Sequence, residues 1–80
     1  MSYVSLIKQL IHPLIVHQED LRVKEFLSDD DSILFQVMVH QEDMGRVIGK
    51  QGKTMKAIRT IVYAAGAKEG QKVSINVDAY

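Results

Sequence analysis

The segment Gly45-Arg46-Val47-Ile48-Gly49-Lys50-Gln51-Gly52-Lys53-Thr54 contains three glycines and three cationic residues within ten positions. Gly49 and Gly52 enclose two polar residues, so the main chain there can adopt conformations closed to residues with a Cβ and can approach a ligand closely. A helical pattern follows, and helix N-termini attract anions through free amides and the positive end of the helix dipole. Lys50 and Lys53 add full charges. We interpret the segment as a phosphate clamp, against the alternative of an ordinary turn between two helices.

The net charge of zero conceals an uneven distribution of charged residues. Residues 1–40 hold three cations and six anions, whereas residues 41–80 hold seven cations and four anions. Between Met44 and Thr60 there are five cations and no acidic residue. A protein that is neutral overall can therefore present a basic face to a polyanion.

Length and composition exclude several classes of protein. The chain has 80 residues, of which 46% are hydrophobic and 25% charged, so one globular domain over residues 1–80 is expected. Such a domain buries only about 60% of its unfolded surface, which disfavours a deep enzyme cleft. The absence of cysteine excludes disulfides and thiolate metal sites. No secretory pattern is present and no apolar run approaches the roughly 18 residues of a membrane span, so we expect a cytoplasmic protein with no membrane partner.

Three elements are predicted before the clamp. Apolar residues at helical spacing predict one helix over residues 3–17, capped by Ser2 and kinked, but not ended, by Pro13. Alternating apolar residues predict a first strand over residues 21–27, and an apolar run predicts a second strand over residues 33–39. The polar segment between the two strands has turn composition, so the pair is predicted to be an antiparallel hairpin.

Two helices are predicted to flank the clamp. Glu42 and Asp43 suit the first turn of a short helix that ends before Gly49. A longer helix runs from Gly52 to about Ala65. Apolar residues at helical spacing predict its buried face, which comprises Met55, Ile58, Ile61, Val62 and Ala65.

The other face of the longer helix continues the basic stripe that begins at the glycines. It carries Lys53, Lys56, Arg59, Thr60 and Tyr63. Gly66 and Gly70 are predicted to mark the helix end and the loop after it. A third strand is predicted where Val73, Ile75 and Val77 alternate with polar residues.

Several other patterns are interpreted as having no chemical function. The three aspartates at 29–31 lack the alternating spacing of a calcium loop and suit a solvated hairpin tip. His12, His17 and His40 lie on separate segments without ligand spacing, so neither a metal site nor an acid–base site is predicted. The string Val-His-Gln-Glu-Asp occurs at 16–20 and 39–43. Because the flanking residues do not match, we interpret it as coincidence and not as a structural repeat.

A nucleotide-hydrolysing enzyme is suggested only by Gly52-Lys53-Thr54. A P-loop also needs a glycine five residues before its Gly-Lys pair, and Val47 occupies that position. No nucleophile constellation is present. The sequence therefore predicts neither an enzyme nor a cofactor, and no small-molecule substrate.

The run Val47-Ile48-Gly49-Lys50-Gln51-Gly52-Lys53 between two helices resembles the signature of KH domains, and the order of elements is similar to the type II arrangement. With residues 42–46 leading into the motif, the whole chain resembles the KhpA family of small stand-alone bacterial KH proteins. This resemblance implies an α+β, type II KH fold of order α-β-β-α-α-β, with a three-stranded sheet and helices packed on one face. Met55, where isoleucine is common, and Pro13 inside the first helix depart from the usual pattern.

The resemblance also implies a function: binding of about four nucleotides of single-stranded RNA, as an RNA chaperone or post-transcriptional regulator. Gly49 and Gly52 would allow close approach of the RNA backbone, and Lys50 and Gln51 would contact phosphates. Three further cations, Arg46, Lys53 and Lys56, would add electrostatic attraction. Ile48 would form the apolar floor of the groove, and Val47 would be either a second floor residue or part of the core.

The family resemblance further implies homodimers, or heterodimers with a larger KhpB-type KH protein. The alternative function is a protein-interaction or dimerisation module with no direct RNA contact, in which the glycine segment is only a turn.

Overall fold

Three helices and three strands occur in the order that the sequence predicts. The computed structural model describes residues 2–80. The helices are α1 (Tyr3–Ile11), α2 (Met44–Ile48) and α3 (Lys53–Lys68), and the strands are β1 (Arg22–Leu27), β2 (Ile33–Val39) and β3 (Val73–Ala79). Within residues 2–80, no helix has the length and apolarity needed to cross a bilayer.

The three strands form one mixed sheet with β2 in the centre. β1 runs antiparallel to β2, with Leu27 opposite Ile33, which confirms the predicted hairpin. β3 runs parallel to β2, from Ile33 beside Val73 to Val39 beside Ala79. Parallel neighbours need a crossover connection. Here α2, the glycine loop and α3 supply it, so the candidate clamp lies within the connection between two adjacent strands.

The helices cover one face of the sheet, as expected for this fold class. Because side chains alternate along a strand, Phe35, Val37 and Val39 of β2 share one face, and all three are fully buried. Ile7 and Ile11 of α1 are buried in the same cluster. Strand alternation places Leu34, Gln36 and Met38 on the other face, where all three are only partly buried. No helix of the described chain covers that face.

Helix α1 is shorter than predicted. The predicted cap is confirmed, because the Ser5 amide donates to Ser2 Oγ at 3.2 Å. The α-helix ends at Ile11, however, and a single 3₁₀ turn at His12–Leu14 follows it. The expectation of one kinked helix over residues 3–17 is wrong. Proline has no N–H to donate and its ring obstructs the preceding turn. Because the Val16 and His17 amides then donate to the Asp43 carboxylate, the chain leaves the helix here instead of bending and continuing.

Helix α3 is longer than predicted and buries a narrower face. Met55, Ile58 and Val62 are buried, but Ile61 is 47% exposed, so its assignment to the buried face is wrong. The buried side chains recur every three or four residues. Ile61 precedes Val62 by one position and is therefore rotated by about 100° from it.

Gly66 lies inside α3, not at the helix end as predicted. A Cβ at this position would lie 2.7 Å from the Gln71 carbonyl oxygen and 3.0 Å from Val73 Cγ2. The glycine therefore lets the start of β3 pack directly against the helix backbone. Its presence reflects close packing and not helix termination.

The two copies of Val-His-Gln-Glu-Asp adopt similar local structures. In each copy, one 3₁₀ turn follows the histidine, at Gln18–Asp20 and at Gln41–Asp43. The copies also meet in the fold, because the Asp43 carboxylate accepts the backbone N–H groups of Val16 and His17, each at 2.9 Å. The two copies therefore share one local turn and lie in contact, but different elements flank them, so they are not repeats of a larger structural unit.

Candidate nucleic-acid interface

The loop between α2 and α3 has a backbone that requires glycine at two positions. Gly49 has φ 77° and ψ 173°, a combination almost confined to glycine. Gln51 (φ 57°) and Gly52 (φ 76°) are both left-handed. The loop is closed by two backbone hydrogen bonds, from Gly49 N–H to the Gly45 carbonyl at 2.8 Å and from Gly52 N–H to the Gly49 carbonyl at 3.1 Å.

The two loop glycines differ in what surrounds them. A Cβ at Gly49 would lie 2.1 Å from Thr54 Oγ1 and 2.6 Å from Thr54 Cβ, so the loop packs directly onto the first turn of α3. At Gly52 a Cβ would meet nothing within 4 Å, and only its positive φ favours glycine. Gly49 thus fixes the position of the loop against α3, while Gly52 reverses the chain into the helix.

The first turn of α3 offers free backbone donors beside the loop. Gly52 occupies the cap position and no side chain caps the helix. The Lys53 N–H donates to the Lys50 carbonyl, but the amides that follow it in the first turn have no carbonyl partner within the helix and attract anions. This arrangement gives the loop the geometry of an anion site.

Three lysines carry the charge around this helix start. Lys50, Lys53 and Lys56 are all exposed. Within residues 2–80, none of the three lies within ion-pair distance of an acidic group. Gln51, between the two glycines, is likewise exposed. The predicted contact residues therefore form a solvent-accessible basic surface without internal neutralisation.

Arg46 differs from these lysines because it is bound within the protein. Its Nη1 donates to the Glu42 carbonyl at 2.7 Å and lies 3.3 Å from Asp43 Oδ1. Asp43 is fully buried, so the pair partly neutralises the guanidinium while leaving half of its side chain exposed. Of the predicted cations, Arg46 has the least free charge.

The two apolar residues before the loop have different environments. Val47 is fully buried in the core, so of its two predicted roles the structure supports core packing. Ile48 is 38% exposed at the end of α2, directly before the loop. Ile48 is therefore the apolar side chain that a ligand at the loop could contact.

Asp43, which the sequence predicts in the first turn of the short helix, lies instead at the cap position before α2, and its side chain forms no cap hydrogen bond. Its carboxylate ties the start of that helix to residues 16 and 17. Burial raises the pKa of its carboxyl, but the Val16 and His17 amides, together with the charges of His17 and Arg46, bring the pKa below its ordinary value of 3.8. The repeated pentapeptide marks the two segments that meet, but no pattern in the sequence indicates the contact between them.

Two bacterial proteins match this chain over nearly its whole length. Residues 4–77 match the family model described as KhpA/KhpB, KH domain. RNA-binding protein KhpA of Listeria monocytogenes is 44% identical over 73 residues, covering 91% of this chain and 95% of that protein. RNA-binding protein KhpA of Bacillus subtilis is also 44% identical over 73 residues, covering 91% of this chain and 89% of that protein.

A solved structure shares the fold at low sequence identity. Era in complex with MgGDPNP and nucleotides 1506–1542 of 16S ribosomal RNA aligns with a TM-score of 0.61 at 16% identity. The alignment covers 96% of this chain but only 29% of that one. At this identity the likeness concerns the fold alone. From the family match and the two relatives, the chain belongs to the KhpA/KhpB family of KH domains, whose members are binding proteins and not enzymes.

Proposed function

We propose that this protein binds single-stranded RNA and holds its sugar-phosphate backbone at the loop Gly49–Gly52. The observation that carries the proposal is the loop itself, whose positive-φ glycines bring the backbone against an uncapped helix start. The names of the two bacterial relatives, both RNA-binding proteins, support RNA as the ligand.

Each residue of the site has a proposed role. The amides at the start of α3 that have no partner within the protein bind a phosphate, Lys50 and Gln51 contact it directly, and Lys53 and Lys56 attract the neighbouring phosphates. Ile48 forms the apolar floor on which a base rests. Arg46 acts mainly through its field, because its guanidinium is already paired with Asp43.

This site is built for low sequence specificity, because phosphate contacts carry no base information directly. For single strands, the slope of log affinity against log salt is about −0.7 per neutralised phosphate. If three lysines each neutralise one phosphate, raising the salt concentration from 50 to 200 mM would weaken RNA binding about 20-fold. Weak, salt-sensitive binding of many RNAs suits a role as an RNA chaperone or post-transcriptional regulator.

The proposal predicts that the double variant Lys50→Asp, Gln51→Asp binds a short single-stranded RNA at least about tenfold more weakly at low salt, because two phosphate contacts become repulsive. Its salt slope should also be shallower. Fluorescence anisotropy at two salt concentrations measures both quantities.

A matched control comes from a second Lys-Gln pair in the chain, Lys8 and Gln9, which is exposed on α1. The variant Lys8→Asp, Gln9→Asp changes the net charge by the same amount and should retain most of the affinity. If the two variants lost affinity equally, general charge and not the loop would explain binding. If the loop variant remained folded and bound RNA as the wild type does, the clamp would be refuted.

A second binding role, self-association, is favoured by the uncovered outer face of the sheet. Phe26 is 50% exposed and Tyr80 is 57% exposed. In the row that crosses the three strands, Arg22 and Asp78 flank Met38 on opposite sides. A two-fold axis along the strands would place Arg22 opposite the partner's Asp78, so the face is complementary to itself in charge. We propose that a second copy of this chain covers it.

Self-association predicts that Met38→Asp, at the centre of the face, converts a dimer into a monomer in sedimentation velocity. Ile61→Asp is the control, because Ile61 is an exposed apolar residue on α3, away from the sheet. A wild type that is monomeric at high concentration would exclude the homodimer. If that monomer bound a larger KhpB-type KH protein, and Met38→Asp abolished the binding, the face would belong to a heterodimer.

A further inference from the structure

A cluster of two histidines and two carboxylates lies where the two copies of Val-His-Gln-Glu-Asp meet. The His17 and His40 rings stack with centroids 3.9 Å apart and an interplanar angle of 19°. Both rings are half-buried. The sequence separates them by more than twenty positions, so only the packing of the two copies brings them together.

Two carboxylates complete the cluster. Ligand atoms of Asp20, His17 and His40 all lie within 4.8 Å of one another. Glu42 Oε1 lies 3.4 Å from His17 Nε2 and 3.8 Å from His40 Nδ1. Each copy of the pentapeptide thus contributes one imidazole and one carboxylate to the same small volume.

The carboxylates of this cluster have few partners inside the protein. Within residues 2–80, the Asp20 side chain forms no hydrogen bond or ion pair, and Glu42 pairs only with the two histidines. No lysine or arginine of the described chain forms an ion pair with either carboxylate. Two carboxylates without a lysine or arginine partner, beside two imidazoles, form a donor set that suits a cation accepting nitrogen and oxygen ligands.

We propose that His17, Asp20, His40 and Glu42 form a binding site for a divalent transition metal ion of the zinc type. Two imidazoles with two carboxylates are a donor set suited to four-coordinate Zn²⁺, whereas Mg²⁺ and Ca²⁺ prefer oxygen ligands alone. This inference is independent of RNA binding, since none of the four residues belongs to the glycine loop.

Binding requires the two imidazole rings to rotate out of their stacked arrangement, because the in-plane lone pairs of nearly parallel rings do not converge on one ion. Tetrahedral coordination with Zn–N bonds of about 2.1 Å brings ligand nitrogens to about 3.4 Å from each other. His40 Nδ1 now accepts the Glu42 backbone N–H at 3.0 Å, so the neutral ring carries its proton on Nε2. Nδ1 is therefore the coordinating atom of His40, and the metal replaces that hydrogen bond. Rotation of the side chains, three half-buried and one exposed, closes the remaining distances.

The consequence is a cross-link at the base of α2. Residues 16–20 and 39–43 are already joined by the Asp43 carboxylate. A metal ion would add a second connection between the same two segments, immediately before the helix that leads into the glycine loop. A ligand that binds only the folded state stabilises it by RT ln(1 + L/Kd), where L is the free ligand concentration, so the melting temperature rises with the logarithm of that concentration above the dissociation constant.

The test uses the untagged full chain, stripped with a chelator and titrated with Zn²⁺ alone by isothermal calorimetry. We expect one Zn²⁺ per chain, a dissociation constant in the micromolar range or tighter, and a melting temperature that rises with Zn²⁺. Mg²⁺ should cause neither effect. Co²⁺ in place of Zn²⁺ should give the intense visible absorption of a four-coordinate site.

Two ligand variants and one control locate the ion. Asp20→Asn and His17→Ala should each weaken Zn²⁺ binding at least about tenfold. His12→Ala should leave binding unchanged, because His12 is the third histidine of the chain and lies outside the cluster. Circular dichroism checks that each variant is folded. No saturable binding by the wild type, or equal binding by folded Asp20→Asn and wild type, would overturn the site.

Discussion

Replacing Gly49 by alanine is expected to destabilise this domain more than any other single glycine substitution in the loop region. The new Cβ would lie 2.1 Å from Thr54 Oγ1, and the alanine backbone would have to adopt φ 77° with ψ 173°. Backbone strain of this kind costs about 1–3 kcal/mol, and the overlap with α3 adds to it. We expect the free energy of unfolding to fall by about 3 kcal/mol or more, and the melting temperature to fall by about 15 °C.

Two neighbouring glycines provide matched controls for this substitution. At Gly52 the backbone is left-handed but a Cβ meets nothing, so Gly52→Ala should cost only about 1–2 kcal/mol. At Gly45, within α2, a Cβ also meets nothing and φ is not positive, so Gly45→Ala should stabilise the helix by up to about 1 kcal/mol. Urea unfolding followed by circular dichroism gives all three values. Equal stability of the Gly49 and Gly52 variants would contradict the close packing of the loop on Thr54.

Replacing Asp43 by asparagine should cause the second large loss of stability. The carboxylate accepts two backbone amides, from Val16 and His17, at a fully buried position. Asparagine offers one acceptor oxygen and turns a donor towards the other amide, which leaves a partly buried N–H without its partner. We expect the melting temperature at pH 7 to fall on the order of 10 °C.

Asp20→Asn is the control for that substitution, because Asp20 holds the same position in the other pentapeptide copy. Its side chain forms no hydrogen bond within residues 2–80, so with chelator present the melting temperature should change little. If Asp20→Asn were as damaging as Asp43→Asn, a general effect of charge and not the buried hydrogen bonds would be responsible.

The loss of folding stability caused by Asp43→Asn should depend on pH. The folded protein lowers the pKa of Asp43, so its stabilisation is fully present above the unfolded-state pKa and is lost as the pH falls through the folded-state pKa. The stability gap between wild type and variant should therefore be constant above about pH 5 and narrow at lower pH. A gap that stays constant down to about pH 2 would show that the ionised carboxylate contributes nothing specific.

The order of elements was predictable because each depends on a local pattern. The alternation of Val73, Ile75 and Val77 indicates a strand wherever it lies in the fold, and the glycines at 49 and 52 indicate backbone freedom without knowledge of their neighbours. The family signature then assigned the topology. For these reasons the strand bounds of β2 and the position of the loop match the structure closely.

The features that sequence could not supply depend on contacts between distant segments. Whether Pro13 kinks or ends a helix is decided by what the following residues contact. Ile61 is apolar but exposed, because the core lies against the adjacent face of α3. The stacking of His17 on His40 and the burial of Asp43 arise from two segments that only the completed sheet brings together. No spacing rule within one segment contains that information.

The pairing of β2 with β3 has a consequence for how the domain folds and opens. Every pair in this ladder joins residues forty positions apart, from Ile33 with Val73 to Val39 with Ala79. Closing so long a segment is entropically unfavourable until α2 and α3 are formed and packed. The glycine loop lies inside that segment, so it belongs to the same cooperative unit as the central strand. Its shape is therefore maintained by the global free energy of folding, and it should not unravel as an independent surface loop would.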